Sequence, residues 1–495
     1  MTEKTPILGI DFGTSNTAAA WVDGHDRVRV VAVREGVHLL PTVAWYNERG
    51  SVLVGDAANQ QLQDDPTHTI HGLKRFIGRR WTSPFVHRHK GTVGYRLAEA
   101  ADGLVGVDLF GKVKPLEDVA VDIFRRIVEL ASASMRVPAQ GCVLTVPAHF
   151  GYSQRHVIRR AANRAGLDVK GMVNEPTAAA MYYARKKGDD GRVLIFDLGG
   201  GTFDATLLAV MGGVVRVLAT GGDAFLGGKD FDHALASSLA DRFAADHGVS
   251  LAEQRVSLWR LLLAAEQAKV RLSAELSTEI RVPAIAAQGD RFVDLQYTVT
   301  RRELESLTAG LVEKCVGICS DILRRAELTA ADVDEIVFVG GQTRMPEVQR
   351  RLGQIFKTHP SKHIHPDLGV AVGAALLARG EQRLIDVTSA PLGIMIPGVG
   401  ARELIPANTT VPSVKRLSLG VRPRPGQPLN LAIYELPDAQ SLEREHLGTL
   451  RADGGWIEQH PGDLELEAWL GDDLEVTLSL RAADGERLPL QIDRP

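Results

Sequence analysis

The sequence predicts an α/β domain of two lobes followed by an all-β sandwich, and three observations carry that prediction. Strand-like and helix-like stretches alternate from the N-terminus to about Arg383, the mark of an α/β protein. From Pro391 onward no helical period appears, and prolines and short alternating runs dominate, as in an antiparallel sandwich of about 105 residues. Two look-alike segments, Gly9–Thr17 and Phe196–Asp204, lie far apart in the first part. Each leads an apolar run into Asp-x-Gly and out into a second β-rich run, which reads as one hairpin per lobe.

The first hairpin follows Leu8-Gly9-Ile10 and turns through Gly13-Thr14-Ser15-Asn16; the second follows Val193–Phe196 and turns through Gly199-Gly200-Gly201-Thr202. Glycine permits close backbone approach, and successive turn amides form anion-holding nests. Asp11 and Asp197 stand at the turn entrances, placed to hold magnesium through its waters, since that ion dehydrates reluctantly. Either hairpin alone reads equally well as an ordinary turn with an aspartate. Together they read as a clamp on the phosphates of a nucleotide. No Gly-x-x-x-x-Gly-Lys-Ser/Thr is present, which excludes a P-loop.

Between the hairpins, helical periods cover Glu117–Met135, Ser153–Ala165 and Pro176–Lys187, and after them Asp230–His247, Leu258–Ser273 and Thr300–Ala326. Strand-like runs are Cys142–Val146, Val214–Thr220 and Glu335–Val339. Glu175 precedes Pro176 at a helix start, where an acid is also favoured by the helix dipole. Gly340-Gly341 follows a strand and precedes Arg344, the pattern of a glycine turn beneath a flat ring with a guanidinium stacked on it. In the last part, Leu429–Ile433, Leu464–Leu470 and Leu474–Leu480 alternate as strands. The expected division is residues 1–381, a linker at 382–389, and 390–495.

Bulk properties bound the function. A length of 495 residues allows two or three domains. A net charge of −4 argues against a nucleic-acid partner. No apolar run reaches membrane-spanning length, and Met1–Pro6 has no signal-peptide pattern, so a cytoplasmic protein is expected. Cys142 reads as a strand core residue. Cys315 and Cys319 share one helix face with no further ligands nearby, so packing rather than metal is expected of them.

Several motifs in fixed order add a resemblance: Gly9–Thr17, Leu73–Arg79, Thr145–Phe150, Asn174–Ala180, Asp197–Asp204, Leu226–Asp232, Glu266–Ser273, Gly340–Pro346 and Ile405–Pro412. In these the chain resembles the 70-kilodalton heat-shock (DnaK-type) chaperone family of the actin-like ATPase superfamily, from about Ile7 to Asp493. The resemblance implies an α/β actin-like two-lobed ATPase domain, ATP or ADP with magnesium and potassium, and a peptide-binding β-sandwich. It implies that Lys74 contacts the γ-phosphate and helps place the attacking water, with Glu175 and Asp204 near that water. Asp11 and Asp197 match the residues at magnesium-bound water and potassium. Thr14, Ser15 and Thr202 match the hydroxyls around the phosphates. Glu266, Lys269 and Ser273 match the adenosine helix, and Gly340, Gly341, Arg344 and Asp367 the adenine pocket. Pro147 and Arg155 match the relay from nucleotide to domain surface. Without the resemblance, Lys74-Arg75 with Arg79-Arg80 reads as a solvated basic face.

The chain also departs from the family. Its linker reads Gln382-Arg383-Leu384-Ile385, half of the family's aliphatic surface, so weakened or rewired coupling is expected. Gly171 replaces the arginine that pairs with J-domain co-chaperones, although Asp386 matches the aspartate after the linker. Ile394, Leu419, Leu429 and Leu431 fall on the peptide pocket. Pro397 and Arg422 fall where small or apolar residues arch over the peptide, with a solvated loop as the plain alternative for Arg422. Pro495 ends the chain before any helical lid, which implies faster peptide release. Implied partners are extended polypeptide, a J-domain co-chaperone and a nucleotide exchange factor. Competing readings are a nucleotide-dependent interaction or exchange-factor module with little hydrolysis, and a sugar kinase of the same superfamily.

Overall fold

The computed structural model describes residues 6–187, 190–212, 214–251, 254–288, 291–356, 360–361, 365–380, 384–388, 391–435, 445–471 and 475–493. The sequence repeat is a repeat of architecture. In the first six-stranded sheet, Leu8–Phe12 runs antiparallel to Asn16–Val22 and parallel to Gly141–Val146. In the second, Gly191–Leu198 runs antiparallel to Phe203–Met211 and parallel to Glu335–Val339. Both central strands are buried on both faces, which accounts for their unbroken apolar runs.

Two helices, Glu175–Lys187 and Gly369–Arg379, join the halves through small residues. Ala178, Ala179, Ala371, Ala374 and Ala375 are all buried at that seam. A methyl group on Gly373 would lie 1.6 Å from the Ala178 carbonyl oxygen, and one on Gly9 would lie 2.1 Å from the Ala375 amide nitrogen. Neither space exists, and both obstacles are backbone. Gly373→Ala is therefore expected to destabilise the N-terminal part by at least about 2 kcal/mol. Urea unfolding followed by tryptophan fluorescence checks this; an unchanged midpoint excludes such close packing.

Helix Arg301–Arg325 starts at Thr300, whose hydroxyl accepts from the Glu303 amide at 3.2 Å, a normal cap. Cys315 and Cys319 face inward from it, and Cys142 is buried in its strand, as packing requires. Among the described residues, no helix is long and apolar enough to cross a membrane.

The C-terminal part has a five-stranded and a four-stranded antiparallel sheet that share one core. Leu429–Glu435 and Leu464–Leu470 are strands, as their alternation predicts. Leu474 lies outside the described residues, and the neighbouring strand begins at Val476. The expectation of no helix is corrected by Gly454–Gln459, whose cap Asp453 accepts from the Trp456 amide at 2.9 Å. Six residues opening on Gly-Gly are too short to show a period, and their propensity is poor.

The two parts touch. Leu384–Ile385 of the linker adds a parallel strand to the second sheet, pairing with Val215 and Arg216. Gln382 and Arg383 lie outside the described residues. The Tyr152 amide donates to the Glu435 carboxylate at 3.0 Å, and Arg80 Nε donates to the His446 carbonyl at 3.0 Å. Arg159 pairs with Glu475 at 2.8 Å. A methyl group on Gly151 would lie 2.1 Å from Glu435 Oε2, so the bare helix start is what admits this carboxylate.

Candidate nucleotide site

The two glycine turns face each other. A methyl on Gly200 would lie 2.1 Å from Ser15 Oγ, and one on Gly201 2.5 Å from Thr14 Cγ2. Gly13 is fixed from within its own turn, since a methyl there would lie 2.1 Å from the Asn16 carbonyl oxygen. Helix Gly228–His247 starts against the second turn, with the Gly228 amide donating to Gly199 O and the Lys229 amide to Gly200 O, both at 2.9 Å. The helix start thus fixes the second turn opposite the first, and paired glycine turns of this kind favour phosphate through their backbone amides.

Below the turns lies a buried charge cluster. Lys74 is 1% exposed and ion-paired to Glu175, with its ammonium 5.6 Å above the Phe150 ring. Arg75 and Arg79 are also buried. The solvated basic face is excluded. Arg75 donates to the Gly201 carbonyl at 3.0 Å and pairs with Asp230 at 2.8 Å, tying the segment before the first long helix to the second turn.

Asp11, Asp197 and Asp204 share this interior. Burial pushes the Asp11 carboxyl up to about 7, helped by Glu175 and opposed by Lys74. Asp197 is held well above its ordinary value by burial and then by Glu175, Asp204 and Asp11. Glu175 is raised by burial against the pull of Lys74. Four carboxyl groups around one ammonium leave negative charge that a hard cation would relieve. Among the described residues no three His, Cys, Asp or Glu side chains converge on a direct metal site. Oxygen donors of this kind suit a hard cation such as magnesium.

The residues expected at adenosine come from three other segments, 266–273, 340–344 and 367. Lys269 bridges Asp232 and the Gly228 carbonyl, each at 2.9 Å, so it braces the start of the phosphate-side helix. Glu266, on helix Arg255–Leu272, is exposed, and the Ser273 hydroxyl just past the end of that helix donates to the Lys269 carbonyl at 3.3 Å. Gly340 has φ 82°, and a methyl there would lie 2.4 Å from the Leu198 carbonyl, so only glycine packs beneath the second hairpin. Gly341 follows in the turn Gly341–Arg344. Arg344 is ion-paired with Asp367 and half-exposed, which holds its planar group at the rim.

The relay residues form a chain of hydrogen bonds. Pro147 O accepts from the Phe150 amide at 3.1 Å. Arg155 donates to the Phe150 carbonyl at 2.9 Å and to Asn174 Oδ1 at 2.7 Å. Asn174 in turn donates to the Asp386 carboxylate at 3.1 Å, and Thr177 donates to it at 3.3 Å. Asn174 and Glu175 are adjacent, so the linker aspartate sits one residue from the Lys74 ion pair.

The sandwich places its residues differently from a groove. Ile394, Leu419, Leu429 and Leu431 are at most 4% exposed and lie in the shared core, because the inward positions of both sheets close on each other. Arg422 is exposed on a loop, as the plain alternative expects. Its guanidinium donates to the carbonyls of Ile457 at 2.5 Å, His460 at 2.8 Å and Gly462, fastening the end of the short helix.

Residues that the sequence pattern left without a role form further buried contacts. Lys229 Nζ lies 3.1 Å from His71 Nδ1, and His71 stacks on Trp259 with centroids 4.3 Å apart. Burial pulls the Lys229 ammonium down to about 8. Burial also lifts Asp232 to about 7 despite Lys269. Spacing carries no signal for such partners, which come from distant segments.

The raised acids set a pH dependence. Asp11 and Asp232 have folded values near 7 against ordinary values of 3.8. Their protonated forms favour folding, an advantage full below the unfolded value and lost as pH rises through the folded one. The nucleotide-free protein is expected to melt lower at pH 8 than at pH 5.5, with a smaller difference in Asp232→Asn. Calorimetry at the two pH values checks this; a higher melting temperature at pH 8 overturns it.

Comparison with known proteins is consistent with this geometry. A family model described as Hsp70 protein matches residues 7–454. The chain is similar to the mitochondrial heat shock 70 kDa proteins of Solanum tuberosum and Pisum sativum, at 39% identity to each over 415 residues. The match covers 83% of this chain and 61% of each relative, so the chain spans about three fifths of their length.

Proposed function

The chain belongs to the Hsp70 family, and from that membership we propose that it binds and hydrolyses ATP and uses the nucleotide to control binding of extended polypeptide by its β-sandwich. In this reading residues 1–381 form an actin-like two-lobed ATPase domain, 382–389 the linker and 390–495 the peptide-binding part. The observation that carries it is the buried Lys74–Glu175 pair set among Asp11, Asp197 and Asp204 beneath two facing glycine turns.

Phosphoryl transfer to water needs charge neutralisation and a held nucleophile more than a strong base. The amides of Gly13–Asn16 and Gly199–Thr202 cradle phosphate oxygens, with the Thr14, Ser15 and Thr202 hydroxyls beside them. Lys74 leaves Glu175 to meet the γ-phosphate, freeing that carboxylate to orient water together with Asp204. Asp11 and Asp197 would hold magnesium through its waters, with potassium as a further cation, and the metal would supply neutralisation of phosphate charge. Glu266, Lys269, Ser273, Gly340, Gly341, Arg344 and Asp367 border the nucleoside. A J-domain co-chaperone and an exchange factor are the proposed partners, and the cytoplasm the proposed compartment.

A second reading is an interaction module dedicated to one partner. The burial of Ile394, Leu419, Leu429 and Leu431 favours it, since no open apolar pocket awaits a varied peptide at those positions. Single-turnover incubation with radiolabelled ATP and magnesium decides between them. Slow conversion to ADP is expected; none overturns the ATPase reading.

A further inference from the structure

His149 is the one residue of the strand-end motif Val146–Phe150 with an ionisable ring, and the structure gives it a partner inside the site. Its Nδ1 lies 3.1 Å from Asp204 Oδ1, and the Asp204 side chain is 1% exposed. Among the described residues this imidazole is the one side chain hydrogen-bonded to Asp204. Asp204 stands opposite Asp197 in the hairpin register, so like charge pushes it away from its neighbours. Gly222 leaves room for it, since a methyl there would lie 2.9 Å from Asp204 Oδ1. The imidazole supplies the side-chain hydrogen bond that orients this carboxylate.

A carboxylate oxygen accepts, so Nδ1–H is the donor in this contact. Nε2 is buried and has no partner. The ring itself is held edge-on to Phe150, centroids 5.7 Å apart, and Phe150 lies under the Lys74 ammonium. One imidazole therefore meets the carboxylate at one nitrogen and leaves the other without a partner.

We propose that His149 is a positioning residue for ATP hydrolysis, its Nδ1–H locking the Asp204 carboxylate in the orientation that holds the attacking water. This rests on the ATPase reading above. In the reaction the water oxygen bonds to the γ-phosphorus, and the bond to the bridging oxygen breaks with its electron pair remaining on ADP. The protons of the water leave to phosphate. His149 takes no part in that exchange; it acts through the carboxylate, so its removal slows the bound complex without weakening the complex.

The test compares wild type with His149→Phe, His149→Asn and His149→Gln, measuring single-turnover hydrolysis and, separately, ATP affinity with a fluorescent analogue. Phe keeps the ring and loses the donor, and is expected to hydrolyse on the order of tenfold more slowly with unchanged affinity. Asn places its amide nitrogen where Nδ1 stands and is expected to restore most of the rate. Gln reaches the Nε2 position instead and is expected to remain slow. Equal rates for Asn and Gln, a full rate for Phe, or a loss confined to affinity each overturn the proposal while leaving the ATPase reading intact. A wild type that does not hydrolyse overturns both. The Asn–Gln comparison decides the matter if Phe fails to fold.

Discussion

Lys74→Ala is expected to reduce single-turnover ATP hydrolysis by at least about 10²–10³-fold, the usual loss when one preorganised charge contact to a transition state is removed. Lys74 is 1% exposed and is the ion-pair partner of Glu175, in an interior that also holds Asp11, Asp197 and Asp204. Removing the ammonium takes away the positive charge that faces the phosphate and leaves Glu175 buried beside three other acids. The second effect touches stability: breaking a buried pair costs about 3–5 kcal/mol through the stranded charge. Pairing the substitution with Glu175→Gln separates the two. The double variant is expected to regain much of the stability and none of the activity. Urea midpoints and single-turnover rates on the three proteins check both statements. A Lys74→Ala protein that hydrolyses ATP within tenfold of wild type removes Lys74 from the chemistry.

Much of this was legible in the sequence because local chemistry dictated it. Each Asp-x-Gly hairpin announces itself through glycine demand and apolar flanks, and the register pairs Asp11 with Ala18 and Asp197 with Asp204. The helices Leu116–Met135 and Gly228–His247 lie within a few residues of their predicted bounds. The helix Gly454–Gln459 was not legible, since one turn and a half carries no period. Nor was the seam at Gly9, Ala178 and Gly373, where the constraint is a distance between remote segments. Lys74 illustrates the same limit: a Lys-Arg pair near two more arginines reads as surface until the fold buries it under Glu175. His149, Lys229 and Arg422 have partners 55, 158 and 35–40 residues away, and no local pattern foretells those.

Asp386→Ala is expected to abolish the proposed ATP-dependent loss of peptide affinity, while leaving affinity without nucleotide within about twofold. Coupling between distant sites runs at about 1–3 kcal/mol, and the contacts at Asp386 are of that size. Its carboxylate is buried and accepts from Asn174, Thr177 and the Val387 amide, and charge-assisted hydrogen bonds contribute about 1.5–3 kcal/mol each. Burial raises the proton affinity of Asp386, and Arg155 opposes that rise, so the group is held by the network rather than by solvent. Asn174 is the hinge of the argument. It bonds Asp386 on one side and Arg155 on the other, and its chain neighbour Glu175 holds Lys74. In the proposed cycle Lys74 would leave Glu175 for phosphate, and these hydrogen bonds offer a route from there through Asn174 to the strand Leu384–Ile385, which pairs with Val215–Arg216. Alanine at 386 cuts this path after the nucleotide site and before the sandwich, so hydrolysis is expected to change less than about fivefold. Glu435→Ala supplies the contrast, because it removes the Tyr152 contact between the two parts and spares the linker. Peptide titrations with and without ATP separate the routes. Coupling that survives Asp386→Ala and fails in Glu435→Ala assigns the signal to the docked face rather than to the linker.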